Sequence, residues 1–335
     1  MRPDRRLLLL ALRSALAASL VPSTLARAAK ALPPAAMLLP LSGANAALGR
    51  SMARAAALAQ GVDKKALLIL DTGGTPEGAV AAARAALKQG AGILFGPLLS
   101  AEVRPVLAAC AGRVPVVTFS NDLGLLESGA FLFGITADQA VAPLLHYART
   151  RGVRRFGLLA GSDLWGTQLT AAARRAAAAE GLEVTNGAPP RGADALLVGT
   201  MADAVAQGAA ARQAGVQLLC AFSGLNGAQD ALGAIEGAWL SAPDPTPFAD
   251  FAGRFEAQVG TPPGVIAGLA YDAGGIAVAL RQRGGEDRSA LLVPGGFQGV
   301  CGAVRFRDDG SAQRTMAILA VEQGRFRLIE SGSGA

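Results

Sequence analysis

The feature that most constrains this chain is a regular alternation of short apolar runs with alanine-rich helical stretches. The first run of strands is predicted at residues 35–41, 66–70, 92–95 and 114–119. The helices between them are predicted at residues 46–60, 77–89 and 101–111. Strands that alternate with helices in this way are typical of a parallel sheet with helices on its faces.

The same alternation starts again after residue 139, which indicates a second α/β lobe similar to the first. Its helices are predicted at residues 139–151, 167–180 and 202–214, and its strands at residues 156–160, 182–184, 195–198 and 217–222. Two further helices are predicted at residues 248–259 and 265–283. From Phe297 onward, short strands and turns predict an antiparallel finish.

Residues 1–28 have the features of a cleaved export signal, which predicts that the protein is exported. The chain begins with the basic residues Arg2, Arg5 and Arg6, continues with an apolar stretch, and reaches small residues at Ala26 and Ala28. We expect cleavage near Ala28. The first cysteine is Cys110, so no lipid-anchor cysteine is predicted at the cleavage site.

Removal of residues 1–28 changes the charge of the chain. Five of the 31 basic residues and one of the 25 acidic residues lie in this segment, so the mature chain keeps 26 basic and 24 acidic residues. A net charge of +2 on the mature chain gives no support to a nucleic-acid partner, because such proteins carry a concentrated basic face.

Polar side chains directly follow several predicted strands. The strand at residues 114–119 stops abruptly at Ser120, Asn121 and Asp122, and Ser100 follows the strand before it. Ligands of open parallel sheets bind at the carboxyl ends of the strands, where helix amides attract anionic groups. Ser, Asn and Asp also favour turns and helix caps, so a binding edge and a simple turn both remain open.

Sequence motifs point to no catalytic machinery and no cofactor. The triplet Asp71–Gly73 matches an aspartic-protease motif, but that chemistry needs a second such triplet, which the chain lacks. His146 is the only histidine and lies in the middle of a predicted helix, without a nucleophile elbow elsewhere. A histidine-based metal cluster is thereby excluded, and no phosphate-binding loop motif occurs.

Three cysteines and a tryptophan leave alternatives open. Cys110, Cys220 and Cys301 are far apart in the sequence, which favours small buried residues over a required disulfide, although one pair could be bridged. Trp165 follows the polar end of a predicted strand, where its ring could stack on a ligand or cover the core of the second lobe.

With these segments in order, the chain resembles type I periplasmic solute-binding proteins of the branched-chain amino acid (Leu/Ile/Val) branch over about residues 34–330. The resemblance rests on the following segments: Leu39–Gly43 with Leu48-Gly49, Asp71–Gly74, Gly96–Ser100, Val114–Asp122, Tyr147–Gly152, and Phe297–Gly302 leading to Arg305-Phe306. It implies two Rossmann-like lobes joined by a hinge. Lobe 1 would comprise residues 34–140 plus about 263–288, and lobe 2 residues 141–262 plus about 289–335.

The resemblance also implies ligand-binding residues. Ser100, Ser120, Asn121 and Asp122 fall where the family holds the carboxylate and amino groups of an amino acid, and Trp165 falls where an aromatic ring of the second lobe covers the ligand. Ser162, at the strand end just before Trp165, completes the candidate set.

Two departures from the family pattern affect the expected ligand. The family's carboxylate for the ligand ammonium should lie near Ser223-Gly224, and its aromatic residue near Gly199–Met201, and neither is present. A buried ammonium without a partner costs several kcal/mol. A free α-amino acid therefore requires Asp122 or Asp163 to supply the negative charge.

The resemblance implies a non-enzymatic substrate-binding protein of an ABC-type, amino acid-like transporter. Such a protein captures a small polar ligand between its lobes and delivers it to an inner-membrane ABC permease. As an alternative, the Phe119–Asp122 run is similar to the periplasmic activator of penicillin-binding proteins, whose partner is a penicillin-binding protein and whose role is to regulate peptidoglycan synthesis. The missing lipid-anchor cysteine counts against this alternative.

Overall fold

The structure is a computed structural model that describes residues 32–59, 66–187, 192–222 and 229–332. The predicted export signal, residues 1–28, lies outside the described residues, as does the Ser223-Gly224 position.

The first lobe is built on a parallel sheet that the described residues form with five strands in the order β2–β1–β3–β4–β5. The strands are β1 (Ala35–Leu39), β2 (Leu67–Asp71), β3 (Ile93–Phe95), β4 (Val116–Thr118) and β5 (Phe131–Leu132). The helices between β1 and β4 are α1 (Ala46–Leu58), α2 (Pro76–Lys88) and α3 (Ser100–Cys110). Strand β1 pairs with β2 on one side and with β3 on the other, so the order of the strands in the sheet reverses at β1. Such a switch point opens a crevice at the carboxyl ends of the strands.

Local sequence explains these elements. Every residue of β1 is buried, because helices cover both faces of the sheet, and this gives the continuous apolar run that the sequence shows. Helix α2 begins with Pro76 after Thr75, whose side chain accepts a hydrogen bond from the amide of Gly78. Alanines on one face of α2, including Ala79 and Ala83, are buried, so the helix packs closely on the sheet.

The second lobe contains a mixed sheet whose described strands run in the order β14–β13–β10–β9–β8–β6–β7. Its strands are β6 (Arg155–Leu159), β7 (Glu183–Asn186), β8 (Ala195–Val198), β9 (Gln217–Cys220), β10 (Trp239–Ala242), β13 (Ala317–Glu322) and β14 (Arg325–Glu330). The helices of this lobe are α4 (Ala137–Thr150), α5 (Leu164–Glu180) and α6 (Met201–Gln213). Strands β6 to β10 are parallel, whereas β13 and β14 are antiparallel, which confirms the predicted antiparallel finish.

The remaining α-helices and the β-hairpin pack on the core of the first lobe. They are α7 (Pro245–Val259), α8 (Val265–Arg283), the short helix α9 (Arg288–Leu291), and the hairpin of β11 (Val304–Phe306) and β12 (Ala312–Arg314). Phe251 and Phe255 of α7 lie in the same buried cluster as Met37 of β1, although we predicted this helix in lobe 2. Phe306 of the hairpin contacts Phe131, with 5.3 Å between ring centroids. The residue bounds of the two lobes stay a prediction. The packing of α7 on the first-lobe core concerns the predicted assignment of this helix to lobe 2.

The chain passes between the two sheets after β5, after β10 and after β12. A buried network links the first and last of these connections. The guanidinium of Arg314 donates to the carbonyl oxygens of Phe133 and Cys301, each at 2.8 Å. Asp272 of α8 accepts the amides of Val300 and Cys301 at 2.7 and 2.9 Å. Burial raises the pKa of Asp272 to about 6, although the Cys301 amide and the Arg314 charge act in the opposite direction.

Among the described residues, no helix has both the length and the apolar character needed to cross a membrane. The three cysteines are buried and unpaired, which confirms the prediction of small buried residues.

Candidate functional site

Thr118 links the loops at the carboxyl ends of β3 and β4 through hydrogen bonds. The hydroxyl of Thr118 donates to the carbonyl oxygen of Pro97 at 2.8 Å and accepts the amide of Ser120 at 3.1 Å. The amide of Phe119 also donates to Pro97, at 3.1 Å. These bonds fix the two loops that carry the predicted polar residues.

Two predicted site residues, Ser100 and Ser120, are in direct contact. Their hydroxyl oxygens lie 2.8 Å apart, and the amide of Asp122 donates to the Ser120 oxygen at 3.1 Å. Each hydroxyl has one proton, and one of the two protons is used in the bond between the serines. The pair therefore keeps a single hydroxyl proton that can be donated to a ligand.

A pocket of about 260 Å³ opens beside this pair, on the carboxyl edge of the first-lobe sheet. Its polar lining includes Asn45, Ser100, Ser120 and Asn121. Its apolar lining is larger and includes Leu48, Leu98, Leu99, Phe119, Ile135, Val265, Ile266 and Leu269. The pocket thus combines one polar side with mainly aliphatic walls.

Two helices begin at this pocket. Helix α3 starts at Ser100 and helix α8 starts at Val265, and both residues line the pocket. The first amides of a helix lack partners within the helix and attract negative charge. The first turn of α8 contains no acidic residue and has no side-chain cap. The first turn of α3 contains Glu102, whose pKa is raised by burial, with the Leu99 amide and the Thr72 hydroxyl acting in the opposite direction.

Asp122 serves as a turn residue and also reaches the second lobe. Its carboxylate accepts the amide of Gly124 at 2.9 Å and so begins a short 3-10 helix at residues 123–125. The same oxygen accepts the side-chain amide of Gln168, in α5, at 2.7 Å. Asp122 lies next to Asn121 in the chain but outside the described lining of the pocket.

The two candidates from the second lobe are not in the described lining of this pocket. The indole nitrogen of Trp165 donates to the carbonyl oxygen of Gly199 at 3.2 Å, and its ring packs on the core of the second lobe. Ser162 is exposed, and the neighbouring Asp163 accepts the amide of Gly166 to cap α5. The structure therefore brings Ser100, Ser120 and Asn121 together in one pocket, with Asp122 beside it. A ligand role for all six candidates stays a prediction.

Sequence reasoning missed the aliphatic walls and Asn45. Asn45 precedes α1, and Leu48 lies in its first turn. Both residues are close in sequence to the Leu39–Gly43 segment used for the resemblance, so the sequence contained a signal that could have identified them. Val265, Ile266 and Leu269 are far from the other lining residues in the sequence. They reach the pocket only because the chain returns to the first lobe at α8. No local sequence pattern predicts that return.

Other sequence features have structural roles. One oxygen of Asp71 accepts the amides of Leu41 and Gly73, each at 2.8 Å, and the pKa of Asp71 is lowered, chiefly by the Ser42 hydroxyl and also by these amides. His146 is exposed on α4, and its ring nitrogen Nδ1 lies 2.9 Å from a carboxylate oxygen of Glu180. In the described parts of the chain, no group of three or more His, Cys, Asp and Glu side chains is placed to hold a metal ion.

Comparison with known proteins gives a consistent result. A family model described as periplasmic binding protein matches residues 34–325. No curated protein matches the chain. The fold is similar to that of a putative branched-chain amino acid ABC transporter from Rhodospirillum rubrum, with 22% identity, a TM-score of 0.77, and coverage of 89% of this chain and 100% of that one.

Two further solved structures are similar in fold. One is the leucine-, isoleucine-, valine-, threonine- and alanine-binding protein from Brucella ovis in a closed conformation, with 20% identity, a TM-score of 0.69, and coverage of 90% of this chain and 94% of that one. The other is a solute-binding protein of an ABC transporter from Rhodopseudomonas palustris in complex with 3,4-dihydroxybenzoic acid, with 16% identity, a TM-score of 0.68, and coverage of 90% and 96%. None of these matches supports the alternative of a penicillin-binding protein activator.

Proposed function

Because the chain belongs to the periplasmic binding protein family, we propose that it is the substrate-binding component of an ABC transporter. In this proposal the protein is exported to the periplasm with cleavage near Ala28, captures a small ligand, and delivers it to an inner-membrane permease. It performs no chemistry on the ligand.

The observation that carries the proposal is the pocket at the carboxyl edge of the first-lobe sheet. Ser100, Ser120 and Asn121 line its polar side, and the spare hydroxyl proton of the serine pair is available to an acceptor. Ligand capture at a pre-formed polar edge is what a parallel sheet of this topology supports.

The second lobe would complete the site by closing over the first. A hydrogen bond already reaches from Gln168 of α5 to Asp122, beside the pocket. A ligand that contacts both lobes shifts an equilibrium between open and closed arrangements, because it binds the closed arrangement more tightly. The permease would then recognise the closed arrangement of the protein.

The structural neighbours are consistent with a small carboxylate as the ligand class. One neighbour is described as a binder of branched-chain and other amino acids, and another is in complex with 3,4-dihydroxybenzoic acid. Both ligand types present a carboxylate, and we propose that an amino acid-like or other small organic acid is the ligand of this chain.

Native mass spectrometry of the protein purified from its own periplasm tests the proposal. We expect a stoichiometric small-molecule adduct on the wild type and a weaker adduct on the Ser120→Ala/Asn121→Ala variant. Ser331→Ala, an exposed serine change, is the matched control and should keep the adduct. An adduct that is equally abundant on the double variant would contradict the site, and no adduct on any form would contradict the function.

A further inference from the structure

We propose that the ligand is a monocarboxylate with a compact apolar body and no ammonium group, which excludes free α-amino acids as the preferred class. This inference rests on the proposed function and concerns the same pocket. It combines the donors on the polar side of the pocket, the composition of its walls, and the positions of the acidic side chains at the strand ends.

The polar side of the pocket is built for an anion. The serine pair offers one hydroxyl proton, Asn121 lies beside it, and the amino-terminal ends of α3 and α8 both open at the pocket. Helix amino termini carry partial positive charge and favour a negative group. Of the described residues that line the pocket, none has a charged side chain, and the acid in the first turn of α3, Glu102, is outside this lining and accepts the amide of Leu99.

The rest of the pocket favours an apolar ligand body. Eight of the thirteen described lining residues have aliphatic or aromatic side chains, and Ile135, Val265 and Leu269 come from segments other than those that carry the serines. Apolar walls gain free energy by covering apolar ligand surface. A volume of about 260 Å³ limits the body to the size of a branched alkyl chain or a single ring.

The acidic side chains at the strand ends are engaged in turns and caps. Asp71 accepts the amides of Leu41 and Gly73, and Asp163 accepts the amide of Gly166. Asp122, the acid nearest in sequence to the pocket residues, accepts Gly124 and Gln168 through one oxygen. Asp122 also lies outside the described lining of the pocket, so an ammonium would contact it only after a movement of Asp122 that disturbs these bonds.

The desolvation of an ammonium in this pocket gives a further argument. None of the described lining residues has a carboxylate that could pair with it. An ammonium group transferred from water to the pocket would lose its hydration without gaining an ionic partner. The same carbon skeleton without the ammonium avoids this loss and keeps the carboxylate.

Isothermal titration calorimetry with three matched compounds tests the inference. L-leucine carries both charges, 4-methylpentanoate is the same skeleton with hydrogen in place of the ammonium, and 4-methylpentanamide has neither charge. We expect 4-methylpentanoate to bind at least about tenfold more tightly than L-leucine, because the ammonium has no partner. We also expect the amide to bind more weakly than the carboxylate, because it lacks the negative charge.

The outcomes separate the inference from the function on which it rests. L-leucine affinity equal to or above that of 4-methylpentanoate overturns the inference and leaves the transport function standing. Equal affinities for the amide and the carboxylate also overturn it. If none of the three binds, the inference fails, and the native mass spectrum decides the function separately by the presence or absence of an adduct. Ser100→Ala/Ser120→Ala should weaken 4-methylpentanoate binding, and Ser331→Ala should not.

Discussion

The side-chain amide of Gln168 lies 2.7 Å from the carboxylate of Asp122, and this hydrogen bond joins the two lobes beside the pocket. Asp122 follows β4 in the first lobe, whereas Gln168 lies in α5 of the second. A hydrogen bond to a charged acceptor contributes about 1.5–3 kcal/mol when it is shielded from water. We therefore expect this contact to limit how far the lobes separate in the absence of ligand.

We predict that Gln168→Ala shifts the ligand-free protein toward a more open arrangement. Loss of about 1.4 kcal/mol changes the ratio of the two arrangements about tenfold, so the radius of gyration from small-angle X-ray scattering should rise. Gln213→Ala, an exposed change in α6 of the same lobe, should leave the scattering curve unchanged. Superimposable curves for Gln168→Ala and wild type would show that this hydrogen bond does not control the lobes.

The Ser100–Ser120 pair predicts strongly coupled effects on ligand affinity. After Ser100→Ala, the Ser120 proton no longer serves the pair and becomes available to the ligand, and the reverse holds after Ser120→Ala. Each single change should therefore weaken 4-methylpentanoate binding less than about threefold, whereas the double change should weaken it tenfold or more, about 1.4 kcal/mol. A double-mutant cycle by calorimetry measures this coupling. Additive effects would mean that the two hydroxyls act on the ligand independently.

Much of the fold could be predicted because the main elements carry local signals. The alanine-rich helices and buried strands of the first lobe differ by only a few residues from their predicted bounds, as β1 shows at Ala35–Leu39. Strand β5, only Phe131 and Leu132, was missed because a two-residue strand has no periodicity to detect. The packing of Phe251 and Phe255 of α7 with the first-lobe core could not be predicted, since an apolar helix face fits either lobe.

The residues of the candidate site also fall into two groups, those that the sequence could predict and those that it could not. Ser100, Ser120 and Asn121 could be found because polar residues that end buried strands of a parallel sheet meet at one edge. The contribution of Val265 depends on a helix that returns to the first lobe from a distant part of the chain, and the sequence contains no signal for that contact. Trp165 could not be assigned from sequence, because a ring at a strand end can face a ligand or its own core.

The position of Trp165 predicts a structural effect for its replacement. Trp165→Phe keeps an aromatic ring on the second-lobe core but removes the donor to the carbonyl oxygen of Gly199. We expect the free energy of unfolding to fall by about 1 kcal/mol, the usual net value of one hydrogen bond. Affinity for 4-methylpentanoate should change less than about twofold, on the same estimate of a purely structural role. A large loss of affinity with little loss of stability would instead assign the ring to the ligand.

Arg314 predicts a larger effect on stability. Arg314→Met removes the bonds to the carbonyl oxygens of Phe133 and Cys301 and the positive charge near the buried Asp272. We expect the free energy of unfolding, measured in urea, to fall by about 3 kcal/mol, as for other buried charged networks that lose one member. Arg307→Met, an exposed change next to the same hairpin, is the control and should cost less than about 1 kcal/mol. Equal costs for the two variants would contradict a special role for the buried network.

The pKa of Asp272 predicts how stability depends on pH. Burial raises this pKa from an ordinary value of 3.8 to about 6, so the folded protein binds a proton at Asp272 more tightly than the unfolded chain does. Protonation therefore favours the folded state. The contribution of Asp272 to the free energy of unfolding is greatest below the unfolded pKa, and it is lost as pH rises through the folded pKa.

Comparison with Asp272→Asn isolates this effect, because the variant has no group that titrates at this position. Between about pH 4 and about pH 7, the free energy of unfolding of the wild type should fall by about 2 kcal/mol relative to that of the variant. Urea denaturation at several pH values measures both proteins. Asp250→Asn, an exposed change in α7, should follow the wild type. If the wild type and Asp272→Asn changed in parallel over this range, the Asp272 carboxyl would have the same proton affinity in the folded and unfolded states, and the bonds from Val300 and Cys301 would fully offset its burial.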